Sequence, residues 1–248
     1  RPMARKLGVT RIISGTRLRR ATALFAPSLR GNHIDIPTAL FDRASFTEHA
    51  VPVMKIITAP GWIPWVLRNR SNVKVIHIAR HPGGFLSSYR NRYLADRDMD
   101  EVREASRNRL REIATADADW AARLTDIEHM DVDELELWFW RYATECLHEA
   151  GRDKSLYRLI RYEDLAADAV SLLQSLYTFC GVKWSQQIED AIKRMNASST
   201  ERSRDWRSRL SNEQCSLISR VLADSELREW WPDIRTNSNE QRVGASPA

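Results

Sequence analysis

The chain has 248 residues, a hydrophobic fraction of 43%, a formal charge of +5 and a sequence pI of about 9.3. This length and composition are typical of one globular domain with a substantial core. The apolar runs are too short for a membrane span, the first residues do not resemble a signal peptide, and the positive charge is too scattered to indicate general nucleic-acid binding.

The basic residues are mostly arginine, with 32 Arg and 6 Lys among the 38. This bias is compatible with anion binding, because the guanidinium group suits phosphate and sulfate, and equally with codon usage. The three cysteines, Cys146, Cys180 and Cys215, show neither zinc-ligand spacing nor a disulfide pattern. They are therefore predicted to be free thiols in a reducing compartment.

The first pattern along the chain is a strand at residues 9–14, a Gly-Thr turn and a helix at 18–25. This order is typical of a phosphate-binding loop, and Gly15, Thr16 and Arg17 are its candidate ligands. The further glycines of the full signature are missing, and arginines stand where small residues would admit a phosphate. An ordinary corner between a strand and a helix is the alternative.

The next stretch combines a polar loop at residues 28–50 with a predicted second strand at 51–57. The loop contains Asp35 and Glu48, and Lys55 lies near the end of the strand. These side chains are candidates for acid–base chemistry, although a surface position is the simpler interpretation of most of them.

The central feature is the stretch at 73–90, VKVIHIARHPGGFLSSYR. Residues 73–79 are predicted to form a buried strand that pairs in parallel with the strand at 51–57, because a helix at 62–68 connects them. Arg80 ends the strand, and HPGG opens a helix. Ligands bind at the carboxyl ends of strands in open α/β sheets, so Arg80 marks a candidate anion site; an arginine that only covers the sheet end is the alternative.

The second half of the chain is predicted to be largely helical and to form one α/β domain over residues 1–235, followed by a disordered tail at 236–248. Leu135, Trp138 and Tyr142 form one stripe on the helix at 133–150, which indicates core packing. The other predicted elements are a strand at 156–162 and helices at 166–179, closed by Gly181, at 185–195, and at 211–222 with a capping box.

Three motifs, taken in order, resemble the sulfotransferases that use 3′-phosphoadenosine 5′-phosphosulfate (PAPS). The first is Arg80 at a strand end with Ser88 eight residues later. The second is RYEDL at 161–165 with FCG at 179–181, and the third is the basic, tryptophan-containing loop at 202–210. Together they cover residues 51–232, and their order makes the resemblance stronger than any one of them does.

The resemblance implies a three-layer α/β sandwich related to the P-loop NTPases, in which helices flank a mostly parallel central sheet. It implies an enzyme that transfers a sulfuryl group from PAPS, without a metal, to a hydroxyl or amine acceptor such as a carbohydrate or small molecule. In this family the residues equivalent to Arg80 and Ser88 bind the 3′-phosphate of the nucleotide. The remaining nucleotide-site residues that it implies are Tyr162, Arg202, Arg204 and Trp206.

The sequence departs from the family pattern on the sulfate side and on the acceptor side. The loop around Gly15 lacks most of the expected residues, so it is either degenerate or replaced by a segment upstream of Arg1. Lys55 matches a family lysine, but Ile57 occupies the place of the catalytic histidine, and Glu48 is a candidate carboxylate base instead.

These departures leave two alternatives open. One is a catalytically impaired relative that still binds the nucleotide or another polyanion, and the other is a P-loop kinase relative that uses ATP. A cytoplasmic location is expected, unless a segment upstream of Arg1 carries a membrane anchor.

Overall fold

The computed structural model describes residues 53–56, 60–94, 97–196 and 205–236. The chain divides into two compact units, Arg1–Trp62 and Ile63–Ala248, and nearly all described elements belong to the second. The strand and helix predicted at 9–25 lie outside the described residues, as does residue 237 onward of the predicted tail.

Helices dominate the described part of the chain, together with a parallel pair of strands; the strand predicted to be buried at 73–79 is half-buried, since Ile76 and Ile78 are 37% and 53% exposed. In chain order the elements are α1 (Trp62–Asn69), β1 (Val75–Ala79), α2 (Pro82–Tyr89), a π-helical turn (Arg90–Leu94), α3 (Met99–Ala116), α4 (Ala118–Arg123), α5 (Val132–Gly151), β2 (Tyr157–Arg161), α6 (Tyr162–Ala167), α7 (Ala169–Cys180), α8 (Gln186–Asn196), a 3₁₀ turn (Asp205–Arg209), α9 (Asn212–Val221), a second 3₁₀ turn (Glu226–Glu229) and α10 (Asp233–Thr236).

The sheet of the described residues consists of β1 and β2, which run parallel with Val75 opposite Tyr157 and Ala79 opposite Arg161. A parallel pair needs a long crossover, which the helices between the two strands provide. The fold is therefore mixed α/β with a small parallel sheet, as the sequence indicated at that level. The three-layer sandwich of the P-loop type stays a prediction.

The partner predicted for β1 is wrong in the described part of the chain. Residues 53–56 form no strand, and β2 pairs with β1. Val53 is 84% exposed, so its apolar character does not reflect burial. A short apolar run becomes a strand only when a neighbour accepts and donates its backbone hydrogen bonds, and the local pattern does not specify that neighbour.

Most predicted helices are present, and one of them is divided. The helix predicted at 166–179 is two helices, because Asp168 interrupts it and its side chain accepts a hydrogen bond from the Ser171 backbone at the start of α7. Gly181 ends α7 with a left-handed backbone, φ 72°, as its position predicted. The capping box of α9, Ser211 with Gln214, is confirmed.

Helix α5 connects two hydrophobic clusters of the core. One side of it, including Leu135, packs with α3 and α4, and Trp138 and Tyr142 lie against this cluster as their stripe predicted. Its other side, including Leu137 and Trp140, packs with α2, α9 and the C-terminal turns. Burial of these large apolar side chains fixes the C-terminal elements against α2, the helix that follows Arg80.

Candidate anion-binding site

Arg80 and Tyr162 leave the sheet side by side at its carboxyl edge. The parallel register pairs Ala79 with Arg161, so the residues that follow them in the chain come out next to each other. The guanidinium carbon of Arg80 lies 4.9 Å from the centre of the Tyr162 ring, a cation–π contact. Two residues that the sequence motifs separated by about eighty positions therefore form one surface.

The Arg80 side chain is half-buried and has no hydrogen bond or ion pair within the described residues. Its Nε atom is buried without a hydrogen-bond partner. Burial lowers the pKa of the guanidinium, Tyr162 and Glu163 act in the opposite direction, and the charge of Arg92 lowers it further. Arginine stays protonated despite such a shift, so this cation is partly desolvated and available to an anion.

Gly84 lets Arg80 approach the first turns of α2. A Cβ atom at Gly84 would lie 2.9 Å from Arg80 Nε, so any larger residue would displace the guanidinium. Ser88 is four residues further along and therefore lies on the same face of α2, where it is half-buried. The Arg80 side chain therefore lies against the turn of α2 that contains Gly84, and Ser88 follows one turn later on that face.

Glu163 is already engaged by the fold. One oxygen of its carboxylate accepts a hydrogen bond from the His81 backbone at 3.0 Å, and the other accepts one from Trp231 Nε1 at 3.1 Å. The neighbouring Asp164 pairs with Arg161 at 2.7 Å. Both acidic residues lie in the first turn of α6, as the helix dipole favours, but Glu163 also links α6 to α2 and to the C-terminal segment.

Trp206 is buried against the start of α2. Its ring stacks on the His81 imidazole with centroids 4.2 Å apart, and a Cβ atom at Gly83 would clash with the same ring. The glycine pair therefore has two separate uses: Gly83 admits Trp206, and Gly84 admits Arg80. We name the group formed by Arg80, Ser88, Tyr162 and Trp206 the Arg80 cluster.

Four of the site residues that the resemblance implied therefore lie on or beside α2. Lys55 is exposed in the first unit. The remaining ones lie outside the described residues: Gly15, Thr16, Arg17, Asp35, Glu48, Arg202 and Arg204.

Sequence reasoning missed the residues that assemble the cluster, above all His81, Trp231 and Asp233. His81 is 3% exposed and its Nε2 atom lies 3.4 Å from Asp233. The glycine pair directly after a strand was the available signal, since adjacent glycines often mark a close approach by another part of the chain.

Comparison with known proteins adds no name to this site. No family model matches the chain, and neither a curated protein nor a solved structure matches it. The likeness to sulfotransferases therefore rests on the three sequence motifs alone.

Two further surveys concern the described residues only. No helix there has the length and apolar character needed to cross a bilayer. Nor do the described His, Cys, Asp and Glu side chains form a group of three that could hold a metal ion. What the cluster offers is a guanidinium and, on the following helix, a hydroxyl, which are groups that bind a phosphate or sulfate.

Proposed function

We propose that this protein is a sulfotransferase that binds PAPS at the Arg80 cluster and transfers its sulfuryl group to a hydroxyl or amine acceptor. In the reaction the bond between sulfur and the bridging phosphate oxygen breaks while a bond from sulfur to the acceptor forms. The acceptor loses its proton to a base, and adenosine 3′,5′-bisphosphate leaves with the electron pair of the broken bond.

The observation that supports this proposal best is Arg80, which lies half-buried beside Tyr162 and has no hydrogen bond or ion pair within the described residues. Arg80 forms no ion pair with a carboxylate within the described residues; the charge of Glu163 raises the pKa of Arg80, but the two Glu163 oxygens accept hydrogen bonds from the His81 backbone and Trp231. A charge that is partly desolvated and forms no ion pair with the described residues favours an anionic ligand over a role in holding the fold together.

Arg80 and Ser88 are the proposed ligands of the 3′-phosphate. Arg80 supplies a planar set of N–H donors, and Ser88 supplies a hydroxyl from the same face of α2. Sulfuryl transfer, like phosphoryl transfer, depends chiefly on positioning the donor and acceptor and on neutralising the leaving group. The Arg80 cluster contributes to positioning, because it fixes the nucleotide, which is the part of PAPS that leaves; neutralising the charge that develops on the 5′-phosphate is left to other residues.

Thermal unfolding with and without adenosine 3′,5′-bisphosphate tests the nucleotide site. Ligand at about 100 times its Kd stabilises the folded state by about 2.7 kcal/mol. For a domain of this size the midpoint should then rise by several degrees. Arg80→Ala should abolish the rise, whereas Arg103→Ala, which removes an exposed arginine of α3 paired with Asp100, should leave it unchanged.

The same assay separates the proposal from its alternatives. A midpoint that rises with ATP and Mg²⁺ but not with adenosine 3′,5′-bisphosphate would favour a kinase relative. Binding of adenosine 3′,5′-bisphosphate without its release from PAPS, in the presence of carbohydrate, phenol and amine acceptors, would favour the catalytically impaired relative. No shift with either nucleotide would refute the site.

A further inference from the structure

We propose that His81 is a positioning residue that latches the C-terminal segment, residues 205–236, onto the Arg80 cluster, so that nucleotide affinity depends on its imidazole ring. The inference rests on the proposed nucleotide site. His81 directly follows Arg80, but it acts through Trp206 and makes no contact with the ligand.

The ring of His81 is held between two tryptophans of the C-terminal segment. Trp206 stacks on one face, with centroids 4.2 Å apart and planes inclined by 20°. Trp231 approaches edge-on, with centroids 5.6 Å apart and planes at 74°. Since only 3% of His81 is exposed, its contact surface is almost entirely protein.

The two ring nitrogens have different partners. Nδ1 accepts a hydrogen bond from the Gly83 backbone at 3.0 Å and so caps the start of α2. The proton of the neutral ring therefore belongs on Nε2, which faces Asp233 at 3.4 Å. Asp233 also pairs with Arg207, the residue after Trp206.

This arrangement separates two roles within one side chain. An asparagine or aspartate could cap α2 as His81 does, since their short polar side chains are favoured at that position. Only a ring can stack on Trp206 while also presenting an edge to Trp231. The ring, and not the cap, is therefore the part of His81 that packs against the tryptophans of the C-terminal segment.

The link to affinity runs through the first turn of α2. Trp206 occupies the space beside Gly83, and Arg80 occupies the space beside Gly84, the next residue. If Trp206 leaves its place, the first turn of α2 loses its packing at Gly83, and the position of Arg80 beside Gly84 in the same turn is no longer fixed. His81 thus influences the nucleotide by keeping Trp206 in contact with Gly83.

Two variants of His81 distinguish the ring from the cap. His81→Asn keeps an acceptor for the Gly83 N–H and removes the ring; His81→Phe keeps a ring and removes the acceptor. Binding of adenosine 3′,5′-bisphosphate is measured by calorimetry at a temperature at which circular dichroism shows each variant to be folded. We expect about tenfold weaker binding for His81→Asn, and binding within about threefold of wild type for His81→Phe, as the loss of one aromatic stack predicts.

A second pair of variants covers the case in which a His81 variant does not fold. Trp206→Phe retains a ring for His81 to stack on, and Trp206→Leu does not. Trp206→Phe should therefore bind adenosine 3′,5′-bisphosphate more tightly than Trp206→Leu does. In addition, His81→Asn combined with Trp206→Leu should bind no more weakly than the weaker single variant, because both remove the same contact.

The outcomes separate this inference from the proposed function. Wild-type protein that does not bind adenosine 3′,5′-bisphosphate refutes the site and the latch together. If wild type binds, then His81→Asn binding as tightly as His81→Phe, or more tightly, refutes the latch alone and leaves His81 as a helix cap. An additive double variant would also overturn it.

Discussion

Two arginines of this fold are withdrawn from water in opposite ways. Arg141 of α5 is fully buried, and its guanidinium binds Asp224 at 2.7 Å, Glu145 at 2.8 Å and the Val221 carbonyl at 2.7 Å. Arg80 is half-buried beside Tyr162 and has no such partner within the described residues. The first arginine completes a network, and the second makes no hydrogen bond or ion pair with the part of the chain that the structure describes.

The comparison shows how a structural arginine differs from one that is available to a ligand. Burying a charge is costly, and hydrogen bonds and opposite charges must offset that cost. Arg141 meets this requirement within the protein, and its hydrogen bonds lower the pKa of Asp224. Arg80 would meet it only when an anion binds, which is why removing the two side chains should have different consequences.

The largest difference is expected in stability without ligand. Arg141→Met should reduce the free energy of unfolding by about 3 kcal/mol, because Glu145 and the Val221 carbonyl lose a buried donor. Arg80→Met should change it by less than about 1 kcal/mol, because no hydrogen bond within the described residues is lost. Urea unfolding measures both. Equal losses for the two variants would contradict the distinction.

His77 is a third basic group that is withdrawn from water. It is expected to be neutral near pH 7, and its protonation at lower pH should reduce the stability of the protein. Burial, aided by the charge of His148, lowers the pKa of His77 to about 4, and its Nδ1 atom lies 2.7 Å from the Tyr157 hydroxyl. Because this pKa lies below the ordinary 6.5, the unfolded chain binds more protons than the native state between these pH values. Stability should therefore fall as the pH drops from about 6.5 towards 4, by up to about 3 kcal/mol from this residue.

The measurement is the urea midpoint as a function of pH. His77→Gln should flatten the profile between pH 6.5 and 4, while leaving an amide oxygen for the Tyr157 hydroxyl. His129→Gln, at a side chain that is 83% exposed, is the matched control and should follow the wild type. A profile for His77→Gln as steep as that of wild type would show that His77 does not titrate in this way.

The two adjacent glycines of α2 offer a smaller and sharper test. Gly83→Ala should reduce the free energy of unfolding by about 1–3 kcal/mol, since its methyl group would overlap the ring of Trp206 within a packed region. Gly61→Ala, where a Cβ atom would meet nothing within 4 Å, is the control. Thermal unfolding compares them, and an unchanged midpoint for Gly83→Ala would mean that Trp206 does not occupy this place.

The smallest stability change is expected at Gly84, where the effect should appear in binding instead. The flexible Arg80 side chain can move away from an alanine methyl group, so Gly84→Ala should change stability by less than about 1 kcal/mol. The displaced guanidinium should weaken binding of adenosine 3′,5′-bisphosphate about tenfold, as the loss of one charged hydrogen bond predicts. Calorimetry measures the affinity of Gly84→Ala for the nucleotide. An affinity equal to that of wild type would show that Arg80 does not contact the nucleotide.

Much of the local structure follows from the sequence because its causes are local. Apolar periodicity and caps predict α5 and α9 to within a residue or two at each end, and the β-branched run predicts β1. The sequence alone also places Arg80 at the end of that strand and Ser88 on the following helix. These features depend on neighbours within a few positions along the chain.

The pairing and the close contacts were decided by the tertiary structure. The sequence pattern favoured residues 51–57 as the partner of β1, but β2 pairs with it; nothing in 161–165 or 205–210 indicates that Tyr162 would lie beside Arg80 and Trp206 beside Gly83. Such contacts depend on which distant segments exchange backbone hydrogen bonds and bury apolar surface together, and local propensity carries no information about that choice. The sequence by itself therefore determined the elements and the position of the arginine, and packing between distant segments determined what surrounds it.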